Sequence, residues 1–212
     1  VFNPNNDNLT PGFRFGFPVV EPNYTDPLTG KNTHLMVTPS GARVEFRQVD
    51  GSTDTFETAD SSYIQLKKVD ANNLTITGTD GTNAYYQLKN GAFYCASVKD
   101  ANGNFITINH DTNGRLNSVT DTLGRVINVN YDVQGSLTSI TQARSTGTFT
   151  FATFTYANQT ISPNFSGLNL VGIANGASVK VLQKITYSDS SFTQFEYNAF
   201  GQVWWIKNHA PD

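Results

Sequence analysis

Four glycines in the middle of the chain, Gly103, Gly114, Gly124 and Gly135, stand 11, 10 and 11 residues apart, which makes two interleaved intervals of 21 residues. Laid over each other, the two units match column by column. Asn104-Phe105-Ile106-Thr107-Ile108-Asn109-His110-Asp111 lies over Arg125-Val126-Ile127-Asn128-Val129-Asn130-Tyr131-Asp132. Gly114-Arg115-Leu116-Asn117-Ser118-Val119-Thr120 lies over Gly135-Ser136-Leu137-Thr138-Ser139-Ile140-Thr141. A fixed period of this length marks a stacked architecture, in which each unit buries its apolar face on its neighbours.

A third copy sits near the end, where Phe192-Thr193-Gln194-Phe195-Glu196-Tyr197-Asn198 precedes Gly201-Gln202-Val203-Trp204-Trp205-Ile206. Fainter copies start at Gly41 and Gly81, with Val44 and Phe46, then Ala84, Tyr86 and Leu88, in the columns of Ile106, Ile108 and His110. Alternation puts Ile127, Val129 and Tyr131 on one strand face and Asn128, Asn130 and Asp132 on the other. Leu137 and Ile140 are three apart, so a straight strand cannot aim both at one core. Either a bulge lies near Ser139 or both faces are partly covered.

The punctuation between these runs is Pro39-Ser40-Gly41, Asp50-Gly51, Asp80-Gly81, Asn90-Gly91, Asn102-Gly103 and Asn113-Gly114. Asn-Gly and Asp-Gly favour tight two-residue hairpin turns with both central residues at positive φ. Charged residues make up only 15% of the chain, and Asn, Thr, Ser and Gln carry the polar balance. Neutral polar and β-branched residues suit pleated strands better than helices. The expected fold is all-β: repeated antiparallel β-hairpins forming a curved, twisted sheet. Residues 1–33 hold Pro4, Pro11, Pro18, Pro22 and Pro27 and read as an irregular segment with one short strand over Phe13, Phe15 and Phe17. Residues 34–212 read as the hairpin domain. Thr148 to Tyr156 reads as a strand, and an insertion at about 157–178 reads as a loop, with Pro163, Gly167, Gly172 and Gly176.

These residues resemble the Rhs or YD-repeat family, whose repeat carries a Tyr-Asp pair, then Gly-Arg-Leu, then Ile/Val-Thr-Asp and Gly-Arg. Tyr131-Asp132-Val133-Gln134-Gly135-Ser136-Leu137 matches with Ser136 in place of Arg. His110-Asp111-Thr112-Asn113-Gly114-Arg115-Leu116, running on to Asp121 and Gly124-Arg125, matches with His110 in place of Tyr. Tyr197-Asn198-Ala199-Phe200-Gly201 has Asn198 in place of Asp. The resemblance implies that Gly103, Gly114, Gly124, Gly135, Tyr131, Asp132, His110, Asp111, Tyr197 and Gly201 are structural. It also implies a stretch of a larger β-shell from a bacterial secreted or cell-surface protein, with no convincing self-cleavage segment or toxin domain in this piece. The partners it implies are other repeats of a longer chain, or self-association through sheet edges.

A net charge of -3 with no basic block argues against nucleic acid, which needs clustered cations. No apolar run is long enough for a spanning helix. The opening Val1-Phe2-Asn3-Pro4 shows no signal-peptide pattern and fits a mature or excised piece. A lone Cys95 can form neither an internal disulfide nor a thiolate metal site and fits a buried small hydrophobe. Asp100-Ala101-Asn102-Gly103-Asn104 lacks the distal Glu of a calcium loop. His34, His110 and His209 show no metal-ligand spacing. Asp54, Glu57, Asp60, Asp121, Asp132 and Glu196 are scattered, so a carboxylate-pair glycosidase stays a minor reading. No catalytic residue, cofactor or metal is expected, and the chain reads as a non-enzyme. Trp204 and Trp205 take columns that are polar in the clear repeats and point to opposite strand faces. They pack on a following repeat absent from this chain or on the Pro-rich N-terminal segment, or they serve as a ligand or interface surface together with Tyr85, Tyr86 or Tyr94. The second function reading is therefore a carbohydrate-binding module.

Overall fold

The computed structural model describes Phe13 and residues 15–163 and 173–211. Among these residues there is no helix, and successive strands pair antiparallel as hairpins. The all-β hairpin architecture expected from the repeat is what the chain adopts. Two compact units divide it: Phe15–Val126 forms one, and Ile127–Asp212 with Val1–Arg14 forms the other.

In the first unit, β1 (Val19–Val20), β2 (Tyr24–Thr25) and β3 (Asn32–Val37) lead into β4 (Arg43–Gln48), β5 (Thr55–Thr58), β6 (Gln65–Lys68) and β7 (Asn73–Thr77). β8 (Asn83–Lys89), β9 (Ala92–Lys99), β10 (Phe105–His110) and β11 (Leu116–Asp121) follow. From β3 to β9 each strand pairs with the next. β1 then closes the circle, pairing Val20 with Met36 of β3 on one side and with Phe93 of β9 on the other. Closure leaves β1 and β3–β9 without a free edge, and so without a template for aggregation. Alternate side chains fill the inside. Phe56 pairs across to Leu66 and Leu66 to Ile76, and all three are buried. Val20, Phe46, Leu74, Tyr86, Phe93 and Cys95 join them. Burying each large side chain contributes about 1.5–3 kcal/mol.

The second unit holds β12 (Val126–Tyr131), β13 (Leu137–Arg144), β14 (Gly147–Ile161), β15 (Ala177–Tyr187), β16 (Phe192–Tyr197) and β17 (Val203–His209). β12 to β17 pair in sequence order. β14 runs past Tyr156 to Ile161, into residues that read as loop from sequence, because Ala157, Gln159 and Ile161 find Val181, Val179 and Ala177 on β15. Gly167 and Gly172 of that loop reading lie outside the described residues.

The repeat is visible in register. Ile108 faces Val119, Val129 faces Ile140, and Phe195 faces Ile206. One step on, the register shifts in all three hairpins, and His110, Tyr131 and Tyr197 face Leu116, Leu137 and Val203. The extra residue is Asn117, Thr138 or Trp204. This is the bulge that reconciles Leu137 with Ile140. Phe46, Tyr86, Ile108, Val129 and Phe195, one column in sequence, are all buried, whereas Leu88 departs from its column and is exposed.

Each bulge leads into one kind of turn. The Asp111 N–H donates to the Arg115 carbonyl and the Gly114 N–H to the Asp111 carbonyl, while Asp111 Oδ1 accepts from the N–H groups of Asn113 and Arg115. Asp121, Asp132 and Asn198 repeat this set at Gly124, Gly135 and Gly201. Of the six turns read from sequence, only Asn90-Gly91 has both central residues at positive φ. At Gly41, Gly51, Gly81, Gly103 and Gly114 the glycine alone does. These turns use the longer loop, a type I turn closed by a left-handed glycine. At Gly103 and Gly114 the Asp that opens the turn, Asp100 or Asp111, accepts loop N–H groups that a two-residue turn would not have.

The short N-terminal strand is Val19–Val20, not Phe13 to Phe17; Gly16 and Phe17 form a bend. Arg14 of that reading, with Pro4 and Pro11, lies outside the described residues. Pro18 stands just before the strand, where a missing N–H costs no ladder bond.

Candidate functional site

The sheet of the second unit ends in a strand that is exposed on both faces. Val203, Trp204, Trp205 and Ile206 are 41%, 68%, 51% and 61% exposed. Within the second unit, β17 pairs with β16. In β13 the equivalent residues are covered. Leu137 is fully buried, and Ser139 and Ile140 are flanked by β14 through pairs with Thr153 and Ala152.

The side chains change with the exposure. In the β12–β13 hairpin, Thr138 Oγ1 donates to the Asn130 carbonyl, and Asn130 Nδ2 donates to Ser139 Oγ and Thr141 Oγ1. In the β16–β17 hairpin, Glu196 stands in the place of Asn130, and its Oε1 lies 3.0 Å from Lys207 Nζ. Lys207 Nζ also sits 4.3 Å from the centroid of Trp205. Trp205 pairs across from Glu196, so these side chains share a face. Trp204 is the bulge residue, and a bulge re-aims its side chain. Phe192 stacks on His209 at 4.1 Å, closing the far end of the hairpin.

The tyrosines singled out with the tryptophans belong to the other unit. Tyr86 is buried beside Cys95 and offers no surface to a ligand; burial pushes its hydroxyl pKa up. Its ring fills the ring-shaped sheet's interior, which the alternation of Tyr85 and Tyr86 across β8 requires. Tyr85 donates to Asn73 Oδ1. Tyr94 packs against His110, ring centroids 5.2 Å apart, and against Gly114. Burial raises the thiol of Cys95 to about 11, so it is a core group and not a nucleophile.

The acids hold the backbone together. The guanidinium and N–H of Arg125 lower the pKa of Asp121, and the N–H of Ser136 lowers that of Asp132. Desolvation raises the pKa of Asp111, but the N–H and guanidinium of Arg115 outweigh it and bring it down. Asp54, Asp60 and Asp100 are lowered first by the side chains of Ser52, Ser62 and Asn104. Glu57 lies 3.5 Å from Gln65 Nε2. The same direction holds at Asp26, Asp50, Asp70, Asp80 and Asp189.

Burial lowers the pKa of both His34 and His110, the latter to about 4. Both therefore act as neutral packed rings at pH 7; His34 lies edge-on to Phe56, 4.8 Å away. Among the described residues no three His, Cys, Asp or Glu side chains gather as metal ligands, and no helix is long and apolar enough to cross a membrane. Gly103, Gly114, Gly124, Gly135 and Gly201 all sit at positive φ in turns. Tyr197 donates to the Leu182 carbonyl at 2.6 Å, bracing β16 on β15. Sequence reasoning missed Gln183, Gln194 and Lys207, which share the second unit with the tryptophans; their only signal is that polar residues interrupt the strand alternation.

No family model matches the chain, and no curated protein matches it at a significant level.

Proposed function

We propose that the chain is a non-enzymatic structural and interaction module, a stretch of YD-repeat-like shell from a secreted or cell-surface bacterial protein. Its last strand, β17, accepts a further strand of the same repeat type. The observation that carries this reading is the contrast at one repeat position. Leu137 is buried and Ile140 pairs with Ala152 of the next strand, while Val203 and Ile206 are bare. A bare ladder of N–H and C=O groups with apolar side chains on both faces is a template for pairing. Its occupant is the next hairpin of a longer chain or, in the isolated protein, β17 of a second copy. Light scattering across the soluble concentration range tests this. The expected result is self-association that disappears in Ile206→Lys. A chain that stays monomeric throughout, with freely exchanging β17 amides, overturns it.

A second reading, glycan binding, is favoured by Trp205. Its indole is half exposed and stands on the same face as Glu196 and Lys207. A flat apolar ring beside polar groups suits the C–H face of a sugar. Glycan-array binding that Trp205→Ala abolishes supports this reading, and an array without hits removes it.

A further inference from the structure

Beside Trp205, the second unit carries an open cavity of about 280 Å³, lined among others by Gln159, Val181, Gln183, Gln194, Glu196 and Tyr197. We propose that this cavity holds one ring of a neutral glycan through the side-chain amides of Gln183 and Gln194. The inference rests on the glycan reading above and gives it a contact point.

The side chains of Gln183 and Gln194 make no hydrogen bond to any described residue, and they stand where the β15–β16 ladder ends, at the Lys184–Gln194 pair. Each amide presents two donors and an acceptor side by side. A ring hydroxyl is both donor and acceptor, so vicinal hydroxyls match a pair of amides.

Gln183 owes its position to a bulge. Tyr156 pairs with Leu182 and Thr155 with Lys184, which leaves Gln183 as the extra residue of β15. Bulges are enriched beside binding sites because they turn a side chain out of the ladder. Gln194 lies opposite Lys184, one residue further along β15 from Gln183.

The electrostatics select an uncharged ligand. The one carboxylate on the wall, Glu196, is paired with Lys207 at 3.0 Å, so the site offers no net charge. Gln159 is partly spoken for, donating to the Thr160 and Asn198 carbonyls. Buried Val181 provides apolar floor, and the Tyr197 hydroxyl is tied to Leu182. The volume is just under the range of roughly 300–1,000 Å³ typical of pockets for drug-sized ligands. One ring fits, with a neighbouring ring of an oligosaccharide extending toward Trp205.

The test is a protein-observed NMR titration of the whole chain with a panel of neutral and acidic mono- and oligosaccharides. Gln183→Leu, Gln194→Leu, Trp205→Ala and Trp204→Ala are titrated in parallel, each first checked for an unchanged melting temperature. The expected result is binding of neutral saccharides that weakens at least tenfold in Gln183→Leu or Gln194→Leu. Trp205→Ala loses affinity for oligosaccharides only, and Trp204→Ala binds normally. Binding lost in Trp205→Ala but kept in both glutamine variants overturns the cavity and leaves the glycan reading standing. No response to any saccharide overturns both. Preference for acidic saccharides overturns the neutral-ligand assignment.

Discussion

The two units solve the edge problem of a β-sheet in opposite ways. In Phe15–Val126, a two-residue strand from the N-terminal segment joins β3 to β9 and closes a ring of eight strands. In Ile127–Asp212, the strands follow one another to β17, where apolar side chains face solvent. Both units use the same bulged hairpin with the same turn. What differs is whether something covers the last strand. A repeat therefore fixes local geometry without fixing closure; closure at β1 depends on Val19 and Val20, which lie outside the repeat.

The sharpest way to break this comparison is to truncate the ring core. Phe46 is fully buried, and Phe46→Ala is expected to cost about 3–5 kcal/mol, transfer and cavity terms together. Urea unfolding of the variant measures it. A loss under 1 kcal/mol means that the ring interior is not a packed core.

Gly114 comes next. Its φ is +81°, and a methyl group there would clash with the hydroxyl end of the Tyr94 ring. Gly124 has φ +78° with nothing within 4 Å. Gly114→Ala therefore combines left-handed strain with overpacking, about 2–4 kcal/mol in all, while Gly124→Ala carries only the strain of about 1–2 kcal/mol. Equal losses in thermal unfolding would show that Tyr94 moves aside freely.

The ring unit also holds the two packed histidines. His110 faces Tyr94, Lys89 and Asp111. Burial and the Lys89 charge lower its pKa from 6.5 to about 4, against a small opposing pull from Asp111. A depressed folded pKa means that the unfolded chain takes the proton first as pH falls. The contribution is fully present above about pH 6.5 and is lost between there and about pH 4. Its ceiling is on the order of 3 kcal/mol, and His34 adds in the same direction. The equivalent residues of the second unit are Tyr131 and Tyr197, which do not titrate in this range. His110→Tyr is expected to flatten the pH dependence of stability between pH 6.5 and 4. An unchanged slope assigns the acid sensitivity elsewhere.

Much of the architecture is legible in the sequence because glycine spacing and strand alternation are local. The buried column Phe46, Tyr86, Ile108, Val129 and Phe195 follows from the period alone. The bulge could be posed as an alternative from Leu137 and Ile140, yet choosing it takes the partner strand. Asn-Gly and Asp-Gly pairs mislead on turn type because the loop closes on a residue further upstream, Val49, Gly78, Asp100 or Asp111. Closure was illegible, since two valines after a proline carry no long-range address. For the site, the oddity of Trp204 and Trp205 was plain, but Tyr86 has the same composition signal as an exposed aromatic and lies inside. Gln183 and Gln194 meet only through the pairing of β14, β15 and β16, which no local pattern encodes.

The smallest effect is expected where the comparison began. Ile206 occupies the position of Ile140 but stands 61% exposed. Ile206→Ala removes little buried area from an isolated chain, so its stability should change by about 0.5 kcal/mol or less. Ile140→Ala, between β12 and β14, should cost more, on the order of 1–2 kcal/mol, because its side chain is flanked by Ala152 and Val129. The two variants differ only in whether a further strand is present. If the chain self-associates through β17, Ile206→Ala will acquire a concentration-dependent loss that grows as the protein is concentrated, while Ile140→Ala will not. Equal, concentration-independent losses at both sites would mean that β17 is already covered, and the contrast between a closed and an open end would disappear.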